Sequence, residues 1–138
     1  MKRLTIKPPL RGYDSQGSGA FGAPRGNRTH KGIDLSCVKD SEVLSVCDGE
    51  VTKLGYPYSP TDHKKGHLRY VQITDENGYD VRYFYIKPMV IVGSKIKAGT
   101  TLGKVQGLAH IYEGITEHYH FEVKKDGEII NPHDYLGG

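Results

Sequence analysis

Short stretches in which apolar and polar residues alternate recur along this chain, each closed by a turn signal. Nowhere does an apolar stripe of about 3.6-residue period persist for three turns. Alternation sends successive side chains to opposite faces of a strand, so each stretch can bury one face and present the other. The predicted strands are Gly32–Cys37, Glu42–Val46, Glu50–Leu54, Arg69–Thr74, Asp80–Ile86, Thr101–Val105, His118–Lys124 and Glu128–Ile130. Asp48-Gly49, Asn77-Gly78 and Asp126-Gly127 carry the turn chemistry that hairpins need. With 18 Gly, 10 Tyr, 3 Phe and no Trp, the composition suits tight turns and half-buried sheets better than helices on an aliphatic core. The expected fold class is all-β and antiparallel.

Three stretches break the rhythm. Residues 11–29, rich in Gly, Ser and Arg without periodicity, read as a loop leading into the first motif. Tyr56–His67 is a polar insertion suited to walling a surface groove, and Gly107–Thr116 is a loop that delivers the chain to the second motif.

A chain of 138 residues fits one domain and can form a core without metal or disulfide staples. A metal site in it therefore leans towards function. The net charge of +3 is mild, and the basic residues do not cluster as in a nucleic-acid binder. Cys37 and Cys47 are too few and too far apart for a cysteine zinc site; free thiols and a single disulfide both fit them. The start MKRLTI has no apolar segment behind it, so no signal peptide is visible. No apolar run reaches the roughly 18 residues of a membrane span.

The strongest local signal is His118-Tyr119-His120-Phe121-Glu122-Val123. Its alternation places His118, His120 and Glu122 on one face and Tyr119, Phe121 and Val123 on the other. The second set suits a core, the first a polar cleft. In His30-Lys31-Gly32-Ile33-Asp34, the even spacing sets an imidazole and a carboxylate on one side of an extended segment. Gly32 between them removes a side chain that would crowd the same spot. His30, Asp34 and His120 together form an N₂O donor set for one zinc ion, and three protein ligands leave a position open for water or substrate. His118, beside this set, is placed to take or give a proton. Glu122 reads as a support for the ligands. Arg25 and Arg28 are candidates to hold a substrate carboxylate bidentately. His63, His67, His110 and His133 have no partner spacing and read as surface residues.

GIDL after His30, the Asp48-Gly49-Glu50-Val51 turn, HYHFEV and the closing Asn131-Pro132 with Tyr135-Leu136 resemble the lysostaphin/LytM-type zinc endopeptidases. The resemblance runs from about Phe21 to Leu136, so residues 1–20 read as an extension and 21–138 as the zinc-binding domain. It implies antiparallel sheets with a zinc site in a loop-walled groove. His30, Asp34 and His120 would be the ligands, His118 a catalytic histidine, and a bacterial cell-wall peptide the substrate. It also implies action outside a cell or at a wall; with no signal peptide visible, a larger virion or secretion assembly is the expected route there. The chain departs from the family at one place. In Tyr83-Phe84-Tyr85-Ile86-Lys87-Pro88, Tyr85 stands where active members have a second catalytic histidine in a Tyr-x-His-Leu strand. That string, the glycine- and arginine-rich run from Gly17 to His30, and YEGITEHYH resemble the leukocyte cell-derived chemotaxins, which share the fold and are regarded as non-peptidase binding proteins. A tyrosine of pKa near 10 is no general base at neutral pH. Its hydroxyl can donate to the oxyanion of a tetrahedral intermediate. Two functions follow from the resemblance: a zinc peptidase in which Tyr85 serves as that donor, or a retired zinc module that binds a peptide, glycan or protein, or serves as a virion part.

Overall fold

The computed structural model describes residues 20, 22, 24, 25, 28, 29, 31–108, 115 and 117–137, with 24, 25, 28 and 29 described by backbone alone. In chain order the elements are β1 (Pro24–Arg25), β2 (Arg28–Thr29), β3 (Ile33–Ser36), β4 (Glu42–Leu44), β5 (Gly49–Gly55), β6 (Tyr70–Asp75) and β7 (Tyr79–Phe84). They continue with β8 (Ile86–Pro88), β9 (Lys95–Ile96), β10 (Thr101–Val105), β11 (His118–Lys125), β12 (Glu128–Ile130) and the helix α1 (Pro132–Gly137). Every strand pairing among the described residues is antiparallel. The larger sheet runs β12-β11-β7-β6-β5-β9, with β3 on β11, and the smaller runs β4-β10-β8. β11 is flanked by β7 on one side and, on the other, by β3 along its first half and β12 along its second.

The core lies between the two sheets. Val51, Val71, Ile73, Val81, Tyr83, Phe121 and Val123 from the larger sheet meet Val43, Ile86, Leu102 and Val105 from the smaller one. Each of these side chains contributes about 1.5–3 kcal/mol on full burial. Tyr83 carries its hydroxyl into this core because Val46 N donates to it at 3.0 Å. Burial pushes that phenol's pKa well above the usual tyrosine value.

The hairpin dipeptides divide. Asp126 and Gly127, with φ of 53° and 81°, make the two-residue turn between β11 and β12. The turn at Asn77-Gly78 joins β6 to β7 and is tied down by Asp75, whose Oδ1 accepts from Asn77 N and Tyr79 N. Tyr135 of α1 donates to the other oxygen of Asp75 at 2.7 Å, which fastens the C-terminal helix to the sheet. Asp48-Gly49 is not a hairpin: β4 and β5 belong to different sheets, and Asp48 Oδ1 instead accepts from Ala98 N at 2.8 Å. The strand expected over Asp80–Ile86 also divides, because Tyr85 takes φ +72° and the chain leaves the larger sheet there for the smaller one. Within the expected loop at 11–29, Pro24–Arg25 and Arg28–Thr29 pair as short strands. Neither Cys37 nor Cys47 is in a disulfide. No helix among the described residues is long and apolar enough to cross a membrane.

Candidate functional site

Asp34 of β3 and His120 of β11 are direct cross-strand partners, and His118 pairs with Ser36 two positions along the same ladder. Side chains opposite each other on one face of such a ladder have Cβ atoms about 4.5–5.5 Å apart, so contact follows from register. His120 Nδ1 lies 2.9 Å from Asp34 Oδ1, and His118 Nε2 lies 3.5 Å from Asp34 Oδ2. On the other side of the His120 ring, Nε2 is 3.0 Å from Glu122 Oε1, and Arg82 sits 3.6 Å from the second oxygen of Glu122. Asp34, His118 and Glu122 are all buried, at 3%, 3% and 6% exposure, so the polar face of β11 is nearly as covered as its apolar face.

Gly32 makes this approach feasible. A Cβ there would meet Phe121 O at 2.3 Å and both Glu122 Cβ and His120 Cε1 at 2.9 Å. Only glycine lets the chain entering β3 lie so close to the His120 ring.

Tyr85 completes the cluster. Alternation from Tyr83 in the core would send Tyr85 into the core as well. The positive φ reverses that, and its ring lies 5.9 Å from the His118 ring and 6.4 Å from the His120 ring, centroid to centroid. Phe84, opposite His120 on β7, packs edge-on against it at 5.1 Å. A non-glycine residue held at positive φ costs of the order of 1–3 kcal/mol and persists only where its surroundings enforce it. Here Arg69 O accepts from both Tyr85 N (2.7 Å) and Ile86 N (3.3 Å), while Tyr85 O accepts from Gln106 N at 2.8 Å.

Asp34 and His120 carry the donor types that zinc takes, a carboxylate oxygen and an imidazole nitrogen. Both nitrogens of His120 face carboxylates, yet a neutral imidazole has a single N–H. With that proton donated to Glu122, the Nδ1 lone pair faces an Asp34 oxygen, an arrangement that calls for a cation, proton or metal, beside them. Burial works against a charged His120 ring, but the Asp34 and Glu122 hydrogen bonds and charges outweigh it and raise its pKa above the usual value. In metal sites a carboxylate on the far nitrogen of a histidine ligand fixes its tautomer and orientation, and Glu122 makes a contact of that form with His120. Among the described residues no group of three or more His, Cys, Asp or Glu side chains is arranged to hold a metal ion. The expected third ligand, His30, lies outside the described residues, as do His110 and the side chains of Arg25 and Arg28. Arg25 and Arg28 are opposed by backbone in the β1–β2 pair. His63, His67 and His133 are exposed, as expected.

The contact of Glu122 with His120 was legible from their spacing of two on one strand. Arg82 and Phe84 were not, because their places at the site depend on the register of β7 against β11.

A model of peptidase family M23 matches residues 28–132. The chain belongs to that family. Among relatives of this M23 domain, mouse leukocyte cell-derived chemotaxin-2 is 35% identical over 113 residues, covering 82% of this chain and 72% of that protein. The resemblance read from the HxxxD and HYHFEV motifs, including its chemotaxin branch, is thus borne out. Solved structures agree in fold. Lysostaphin from Staphylococcus simulans superposes with a TM-score of 0.68 at 17% identity, covering 94% of this chain and 49% of lysostaphin. The catalytic domain of the prophage-encoded M23 protein EnpA from Enterococcus faecalis gives 0.67 at 20% identity, covering 99% and 97% of the two chains. The antiparallel lysostaphin-type architecture of this M23 domain is therefore established.

Proposed function

We propose that this chain is a zinc-dependent peptidase of bacterial cell-wall peptides. The observation that carries the reading is the cross-strand Asp34–His120 pair at 2.9 Å with the Tyr85 ring beside it on the histidine side. Membership of family M23 supports the reaction class, and the fold shared with lysostaphin, an antimicrobial peptidase, supports the substrate class. Asp34 and His120, with His30, would hold the metal, and residues 21–138 would form the domain that does so, behind an extension at 1–20. Zinc, when bound, supplies Lewis-acid polarisation of the scissile carbonyl and acidifies water. His118 moves the proton through its imidazole, a task worth about 10²–10⁴-fold. Tyr85 donates its phenolic O–H to the oxyanion, a contribution of about 2.7–4 kcal/mol. Glu122 holds the His120 ring in the tautomer that a ligand needs. The loop at Tyr56–His67 would wall the substrate groove, and Arg25 and Arg28 would meet a substrate carboxylate. Action at the wall, through delivery by a virion or secretion assembly, belongs to the same reading.

The second reading, a zinc module that binds without cleaving, is favoured by tyrosine at position 85 and by the likeness to chemotaxin-2. Zinc-loaded protein incubated with peptidoglycan of several wall types separates the two. Release of amino groups that is lost in both His118→Ala and Tyr85→Phe establishes the peptidase. No release from any wall type, with zinc still bound at one equivalent, establishes the binding module.

A further inference from the structure

At its reversed conformation Tyr85 is hydrogen-bonded by a residue just past the end of β10 in the neighbouring sheet. We propose that Gln106, one residue beyond β10, is a positioning residue for Tyr85; this rests on the catalytic reading of Tyr85 above. Three hydrogen bonds make the case. Gln106 N donates to Tyr85 O at 2.8 Å. Its side-chain Oε1 accepts from Arg69 N at 2.8 Å, and its Nε2 donates to His67 O at 2.8 Å. Arg69 is the residue whose carbonyl accepts from both Tyr85 N and Ile86 N. The peptide units on both sides of the Tyr85 Cα are therefore held by one assembly, Gln106 directly and Arg69 through Gln106. A φ of +72° at a tyrosine needs such a brace, since a relaxed β conformation would follow alternation and carry the ring towards the core. Gln106 touches neither His118 nor His120 through any of these bonds. It acts on the site through the Tyr85 backbone.

The test uses Gln106→Met, which keeps the side-chain length and removes both of its hydrogen bonds. In zinc-loaded protein, the imidazole Hε1 resonances of His118 and His120 report the Tyr85 ring current, and those of exposed His63 and His133 serve as references. Gln106→Met is expected to shift the His118 and His120 signals towards their positions in Tyr85→Leu and to leave the references in place. It is also expected to lower kcat about 10²–10³-fold at unchanged KM, as loss of an oxyanion donor does. In a Tyr85→Phe background the same change should cost less than about twofold, the limit for a residue acting only through the lost hydroxyl. Unmoved His118 and His120 signals overturn the proposal, even if the unfolding temperature falls. Shifted signals in a protein that never cleaves peptidoglycan uphold Gln106 as the brace and overturn only the catalytic reading. If Gln106→Met does not fold, Gln106→Ala decides by the same signals, since it too removes the acceptor for Arg69 N.

Discussion

Between Ile33 and Ser36, β3 runs in register with β11, and Asp34 faces His120 because the ladder puts them opposite each other. One residue past the end of β7 the ladder has stopped, and Tyr85 reaches the same two histidines through a backbone conformation that tyrosine rarely adopts. The first region is built from regular alternation, close packing and one obligatory glycine. The second is built from a kink braced by Arg69 and Gln106. Asp34 and His120 thus sit on paired strands, while the group proposed to meet the reacting carbonyl sits at a corner between sheets. Regular sheet fixes position at little conformational cost; the corner holds its residue at a cost of the order of 1–3 kcal/mol.

Substitutions can break this contrast, and the largest effect is expected in the ladder. Asp34→Ala removes the carboxylate between His118 and His120; bound zinc, measured by metal analysis after dialysis, should fall far below one equivalent and hydrolysis should vanish. Retained stoichiometric zinc in that variant would remove Asp34 from the donor set. At the corner, Tyr85→Phe should lower kcat by about 10²–10³-fold with zinc content unchanged, because only a donor hydroxyl is lost. Full activity there would show that the phenol only fills space. Glu122→Gln sharpens the role of the ladder: zinc affinity by calorimetric titration should weaken about 10–100-fold, the range for an outer partner of a histidine ligand. An unchanged affinity would make Glu122 a partner of Arg82 alone. Gly32→Ala should destabilise the fold by about 1–3 kcal/mol in denaturant unfolding, since the added methyl meets a backbone carbonyl that cannot yield.

The smallest effect concerns Cys37, just past the end of β3. Burial pushes its thiol up to about 11 from 9.0, with the Glu117 charge adding to the rise and a backbone hydrogen bond at Tyr119 opposing it. The unfolded chain releases this proton first, so between those values it binds fewer protons than the folded protein, and stability falls as pH rises above about 9. Denaturant midpoints at pH 8 and pH 10 should show a slightly steeper decline in the parent protein than in Cys37→Ala. Equal declines would mean that the thiol is less enclosed than its position implies.

Much of the ladder was legible before any coordinates. The alternation in HYHFEV separated Tyr119, Phe121 and Val123, all in the core, from His118, His120 and Glu122, which gather with Asp34. The corner was legible only as an anomaly, a tyrosine where the resembled family has histidine. Alternation alone aims that tyrosine into the core, and no local signal marks Arg69, Gln106 or the positive φ. The Asp48-Gly49 dipeptide failed as a hairpin for a related reason. Its chemistry suits a turn, but the strands on either side find their partners in different sheets.

Sequence by itself determined the strand-rich class and the two faces of β11, because period-two patterning is a local property. Tertiary structure alone decided which donors meet, the exit of the chain from one sheet to the other at Tyr85, and the brace that holds it. Those depend on the register between strands far apart in the chain, and register is an agreement between two segments that neither one encodes alone.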